Sequence, residues 1–249
     1  MILQNPAQSG VLLYNTSIMR FHIITIFPEI FDSYLNESIL GRAIKNKLIE
    51  VKFYNPRDFI KVPKNKNQNN YRPVDDRPYG GGPGMVMRAE PILKAVTKSL
   101  GAVKGKNKKS LIINFIPSAE KFTNTVAKNI SKKYTDVVLI CGRYEGIDAR
   151  VDKILKTKKF SIGDYVLTGG EIPAMILVDS ISRQIKGVLG KYESLEEERV
   201  SSSEVYTRPE ILKYRFGKTE GKKIKNYKVP KVLLSGNHKL IEDWKKKSS

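Results

Sequence analysis

Residues 137–150 read VVLICGRYEGIDAR. A run of apolar, largely β-branched residues that stops at a glycine is the pattern of a buried strand with an abrupt end. Residues 142–146 then stand at the carboxyl end of that strand, which is where open α/β sheets hold ligands. Further β-rich runs fall at 21–27, ended by Pro28, at 50–54 and at 111–116. Helical apolar spacing occupies 30–49, about 91–100, 124–133 and 174–185. Strands alternating with helices predict an α/β domain with a mostly parallel sheet.

Composition bounds the partners. With 249 residues and 40% hydrophobic residues the chain can build a real core, as one large domain or one domain with a smaller companion. The net charge of +20 favours a polyanion such as nucleic acid. No stretch approaches 18 apolar residues, so no membrane span is expected. A single cysteine, Cys141, excludes an internal disulfide and a multi-cysteine zinc site. Its place at the end of an apolar run makes it a small buried residue and fits a reducing, cytoplasmic setting.

The charge is unevenly spread. Residues 208–249 hold 13 Lys/Arg against 4 Asp/Glu, interleaved with Tyr214, Phe216, Tyr227 and Trp244. That mixture suits phosphate contacts with base stacking, the plain alternative being a solvated face over a small helical core. Residues 187–204, with Glu196, Glu197 and Glu198, read as a flexible linker. This divides the chain into 1–18, a disordered extension or a misplaced start before Met19, then 19–186, the linker, and a basic unit at 205–249. Within the large domain, 60–73 and 104–109 read as polar loops.

Several motifs are absent. There is no GxGxxG, no HExxH and no nucleophile elbow, and Leu212 occupies the place where a phosphate loop ending at Lys218-Thr219 needs its first glycine. Three segments remain. DDRPYGGGPG (75–84) combines two carboxylates, an arginine and four glycines, so Asp75 or Asp76 suits a base edge or the orienting of an arginine. In ICGRYEGIDAR (140–150), Glu145 either pairs with Arg143 or Arg150 or faces a cationic ligand. SIGDYVLTGGEIPA (161–174) is nearly neutral in a lysine-rich chain. It reads as the wall of a pocket for a compact ligand, or as an ordinary strand, turn and helix start.

Six blocks, VDDRPYGGGPGM, ICGRYEGID, SIGDYVLTGGEIPA, DSISRQIKGVLG, YTRPE and VLLSGNH, follow one another from about residue 19 to Trp244. Their order and spacing resemble the bacterial tRNA (guanine-N1)-methyltransferases that act at guanosine 37, the TrmD type of the SPOUT superfamily. The resemblance implies a mostly parallel α/β sheet with a deep trefoil knot and a small helical C-terminal domain. It implies S-adenosylmethionine held by Gly142, Tyr144 and Glu145, by Ser161, Ile162, Gly163, Asp164, Tyr165, Val166 and Leu167, and by Gly169, Gly170 and Pro173, with Phe115 and Pro117 beside them.

It further implies Glu198 as general base and Arg183 as the stabiliser of charge on guanine O6. Asp75, Arg143, Tyr206 and Arg208 are implied as substrate-binding residues. Partners are tRNA and a second copy of the chain, with active sites at the subunit interface. Some family members need Mg²⁺, and no metal-ligand cluster stands out here. Three departures accompany the resemblance. Glu198 replaces the usual aspartate with Glu196 and Glu197 alongside, residues 115–119 read FIPSA, and the chain stops soon after Trp244. A ribosomal RNA methyltransferase and an RNA-binding protein without cofactor are the rival readings.

Overall fold

The computed structural model describes residues 18–61, 72–101, 109–189, 204–215 and 224–247. Two units part between Leu189 and Gly190.

The first unit begins with β1 (Met19–Ile24), short α1 (Asp32–Leu35), α2 (Ser38–Lys45) and β2 (Ile49–Tyr54). A small antiparallel pair, β3 (Asp75–Asp76) with β4 (Val86–Met87), leads into α3 (Ala89–Gly101). Then come β5 (Ser110–Phe115), α4 (Asn124–Lys133), β6 (Asp136–Ile140), α5 (Arg150–Leu155), β7 (Lys158–Phe160) and α6 (Glu171–Arg183). The main sheet has the order β2-β1-β6-β5-β7, and every pairing in it is parallel. The mostly parallel α/β expectation is met.

Why these residues make this sheet is visible in its alternation. Side chains point to opposite faces in turn, so Phe21, Ile23, Val137 and Leu139 join one core cluster. Ile24, Val138 and Ile140 join the cluster on the other face. Helix α6 presents Ala174, Leu177, Val178 and Ile181 to the first cluster at helical spacing. Burying one such side chain is worth about 1.5–3 kcal/mol, so two filled faces explain why a central strand reads as unbroken apolar sequence.

The single helix expected over 30–49 is broken. A 3₁₀ turn over Pro28–Phe31 leads into α1, and α2 starts afresh at Ser38, which takes φ +50°. A Cβ on Gly41 would lie 2.5 Å from the Asn36 carbonyl oxygen, so the glycine lets α2 pack against the end of α1. Residues 150–155 and 158–160 form an additional helix and strand, α5 and β7, that the pattern did not signal.

The second unit departs further from expectation. Its described residues form an antiparallel pair, β8 (Ile211–Tyr214) with β9 (Lys225–Lys228), followed by α7 (Lys231–Leu234) and α8 (His238–Lys247). The helical expectation thus covers only its last part. Short strands flanked by lysines carry too little apolar alternation to be seen beforehand. No described residue of this unit is buried. Tyr206 lies near Trp244, with ring centroids 6.2 Å apart. Residues 1–17 and most of the expected linker lie outside the described residues.

A buried histidine interrupts the apolar run of β1. His22, on the same face as Ile24, is 1% exposed; its Nε2 lies 3.1 Å from Asp136 Oδ1 and its Nδ1 3.2 Å from the Tyr54 hydroxyl. Burial pushes the imidazole pKa below its ordinary 6.5, although Asp136 pulls the other way. A group whose folded pKa is lowered contributes stability above its unfolded pKa and loses it as pH falls through the folded value. The melting temperature should therefore fall on acidification below pH 6.5, before the carboxylates titrate. His22→Gln should lower the melting temperature at neutral pH but flatten this acid limb. Thermal unfolding of both proteins across that range checks it, and parallel curves would remove His22 as the cause.

Candidate active site

A cavity of about 500 Å³ opens where β5, β6 and β7 end, at their carboxyl edge. That size suits a single small molecule. From the end of β5 come Phe115 and Pro117, and from the loop after β6 come Gly142, Tyr144 and Glu145. From the segment after β7 come Ser161, Ile162, Tyr165, Val166, Leu167, Gly169 and Gly170, with Pro173 from the first turn of α6. Three segments separated in sequence thus meet around one space.

Backbone contacts hold the walls together. The Gly170 N–H donates to the Gly142 carbonyl at 2.9 Å, and Arg143 bridges Gly169 in antiparallel fashion. On the other side the Ile116 N–H donates to the Phe160 carbonyl at 3.1 Å. A Cβ on Gly170 would lie 2.6 Å from Cys141 Cα and 2.9 Å from the Gly142 nitrogen. Backbone atoms cannot move aside as a side-chain tip can, so only glycine allows this approach.

Glu145 joins the cavity to the glycine-rich segment at 75–84. Its N–H donates to the Met85 carbonyl at 3.0 Å, and its side chain fills the space that a Cβ on Gly84 would need, 2.6 Å from Cγ and Oε1. Asp75 pairs with Met87 in the β3–β4 ladder, and the Met87 N–H donates to the Gly146 carbonyl at 2.9 Å. Met87, 1% exposed, is therefore the hinge point between the two motifs. Two strand residues after a glycine run gave no periodicity from which to foresee it.

The cavity has a polar corner that sequence reasoning missed. Asn114, Asp152 and Lys159 line it. Asp152 accepts hydrogen bonds from Asn114 at 3.0 Å and Thr157 at 2.6 Å, and Lys159 Nζ lies 3.0 Å from its other oxygen. Burial raises the Asp152 pKa, but the hydrogen bonds from Thr157, Lys159 and Asn114 outweigh it and hold the carboxyl below the usual range. The helix and strand that carry this corner, α5 and β7, were themselves unexpected.

Not every expected residue reaches the wall. Gly163 and Asp164 stand off it, and the Asp164 carboxylate is turned to Lys121 Nζ at 2.6 Å. Arg143 lines the cavity, yet its Nε lies 2.9 Å from Glu171 Oε2 and its guanidinium stacks on Phe27 at 4.9 Å. Arg183 ends α6, about 15 Å along the axis from Pro173 at 1.5 Å per residue. Tyr206 and Arg208 belong to the second unit, where the Tyr206 hydroxyl donates to Glu204 at 2.7 Å, a contact that pushes its pKa up. Glu198 lies outside the described residues. Among the described residues no cluster of three or more His, Cys, Asp or Glu could hold a metal ion, and no helix is long and apolar enough to cross a membrane.

Comparison with known proteins places the chain among related sequences and folds. The crystal structure of tRNA (m1G37) methyltransferase from Aquifex aeolicus matches with a TM-score of 0.69 and 38% identity, covering 92% of this chain and 88% of that one. The tRNA (guanine-N(1)-)-methyltransferase of Clostridioides difficile (strain 630) is 45% identical over 235 residues, 93% of this chain and 92% of its own. That of Dictyoglomus turgidum is 46% identical over 232 residues, 93% and 85% of the two chains. The fold and these relatives together define an α/β methyltransferase. Residues 19–249 match the model of the tRNA (Guanine-1)-methyltransferase TrmD family, and the chain belongs to that family.

Close packing at Gly170 gives a direct test. Gly170→Ala should destabilise the first unit by about 1–3 kcal/mol, the usual cost of overpacking. Gly101→Ala, where the added Cβ meets nothing within 4 Å, should be neutral or gain up to about 1 kcal/mol. Denaturant unfolding of the two variants measures the contrast.

Proposed function

We propose that this protein methylates N1 of guanosine 37 in tRNA, with S-adenosylmethionine as methyl donor. The observation that carries the reading is the cavity at the strand ends, walled by residues 142–145, 161–162 and 165–170, in a chain of the TrmD family. The cavity fits the donor in size. Its wall is largely neutral backbone and apolar surface, with the Glu145 carboxylate available to a positive centre. The donor, when bound, supplies an electrophilic methyl on a sulfonium.

The chain's own work concerns the guanine. N1 carries a proton and is a poor nucleophile until that proton leaves, so a carboxylate within hydrogen-bond reach is required. Glu198 takes this role in the reading, accepting the N1 proton as the methyl arrives. Negative charge then develops on O6, where the Arg183 guanidinium stabilises it. Asp75, held beside Gly146 by Met87, accepts hydrogen bonds from the base edge. Tyr206 and Arg208, on the basic second unit, contact the tRNA strand. Mg²⁺ is retained as a requirement to be tested by omission from the assay.

The reading includes a homodimer. On α6, Ile172, Ile176, Asp179 and Arg183 share one stripe at helical spacing. Ile172 and Ile176 are exposed, as are Phe27, Ile30 and Tyr34 nearby, and the Tyr34 hydroxyl donates to Asp179. An exposed apolar face of this kind marks an interaction surface, and symmetric dimers are the commonest assembly. Arg183 lies at the far end of that stripe from its own cavity, which suits service to the cavity of a second copy. The family's trefoil knot is part of the same reading, supported by the tight stitching of 142–146 to 161–170. The reading includes a cytoplasmic activity, supported by the tRNA substrate it assigns.

The test is methylation of tRNA transcripts with G or A at position 37, using labelled S-adenosylmethionine. Label in the G transcript alone is expected. Label in neither overturns the reading, and label in ribosomal RNA alone selects a different RNA substrate. Glu198→Gln should keep donor binding by calorimetry and lose about 10²–10⁴-fold in turnover, the usual worth of a positioned base. A full rate in that variant would assign the proton to another group.

A further inference from the structure

Glu171 has no part in the chemistry just described, yet it is the least ordinary residue at the site. It is a carboxylate only 2% exposed, at the first position of α6. Thr25, itself fully buried, donates to Oε1 at 2.9 Å, and Arg143 Nε lies 2.9 Å from Oε2. The Arg143–Glu171 contact is a close ion pair rather than a well-angled hydrogen bond.

These contacts form a closed ring. The Phe27 N–H donates to Thr25 Oγ1 at 3.0 Å, and the Phe27 ring lies under the Arg143 guanidinium at 4.9 Å. The far end of that guanidinium reaches the Thr168 carbonyl at 3.5 Å. The ring thus ties the segment after β1, the loop after β6 and the start of α6 to the loop that walls the cavity. A Cβ on Gly169 would lie 2.4 Å from Arg143 Nε and 2.7 Å from Glu171 Oε2, so that loop is pressed directly onto the ion pair.

A buried ion pair is weak evidence for stability, because desolvation costs about as much as the attraction returns, and apolar residues of similar volume would serve as well. Its use here lies in direction. Phe27 and Glu171 fix the guanidinium in one place, and the guanidinium then holds Thr168.

We propose that Glu171 is a positioning residue: through Arg143 it clamps residues 165–169 in the shape that receives the methyl donor. This rests on the reading of the cavity as an S-adenosylmethionine site. Glu171→Gln keeps an acceptor for Thr25 but removes the charge that holds Arg143, which then turns toward water and releases Thr168.

The experiment has two arms, both on the full chain. Amide hydrogen exchange without any ligand should show faster exchange in peptides covering 165–170 of Glu171→Gln, with β1, β5 and β6 unchanged. Calorimetry should show S-adenosylmethionine bound about tenfold more weakly, the scale of one lost charge-assisted contact. KM for the donor should rise more than kcat falls. Unchanged exchange at 165–170 overturns the clamp, as does unchanged donor affinity. Should Glu171→Gln loosen the whole unit, Thr25→Val decides. It removes only the hydroxyl, and a local rise at 165–170 supports the clamp where none overturns it. Failure of the unaltered protein to bind S-adenosylmethionine would overturn the functional reading instead, and the exchange arm would still judge the clamp.

Discussion

The cavity depends on how closely one backbone can approach another at the end of β6. Gly170 sits against Cys141 and Gly142 at a separation that no side chain permits. That approach lets the chain leaving β7 return across the end of β6 and enter α6 with its first turn on the cavity wall. Without it the segments 142–146 and 161–170, which leave strands separated by β5, would not be two walls of one space. The polar ring around Glu171 and the Met87 hinge build outward from the same join.

Charge is used in two different ways in the two units. At the wall two cations each meet an anion: Arg143 with Glu171, and Lys159 with Asp152. Such pairs fix geometry and leave the cavity close to neutral. In the second unit lysines and arginines outnumber acids, which suits a long anionic partner whose shape is its own. The protein thus separates positioning charge from attracting charge.

Much of this was legible in the sequence, for a physical reason. The buried strand 136–140 reads as an unbroken apolar run, and helix 124–133 and the apolar stripe of α6 carry strong periodicity, because each fills a core. Gly142 and Glu145 were legible from their place at the end of a buried strand, and Gly169 and Gly170 through the neutral, glycine-rich character of their segment. What was missed is short or polar. The β3–β4 pair and β7 are two and three residues long, and β8–β9 is exposed throughout. Gly163 and Asp164 were expected on the wall from the family resemblance. The turn there sends Asp164 to Lys121, since residues in a tight turn do not share a direction. Glu171 escaped notice because a glutamate at a helix start is normally a solvated, dipole-favoured residue, and nothing local tells that Thr25 and Arg143 enclose it.

The absence of any buried residue among the described part of the second unit has a consequence for its tolerance of change. A core residue is constrained by volume, so few substitutions survive there. A residue that touches mainly solvent is constrained by sign and reach, which many side chains satisfy. Lysine, arginine and an aromatic ring can trade positions in such a unit without altering its thermodynamics greatly. The first unit should therefore record its history as conserved identities. Outside the YTRPE (206–210) and VLLSGNH (232–238) blocks, the second should record it as a conserved total of charge, spelled differently from one relative to the next.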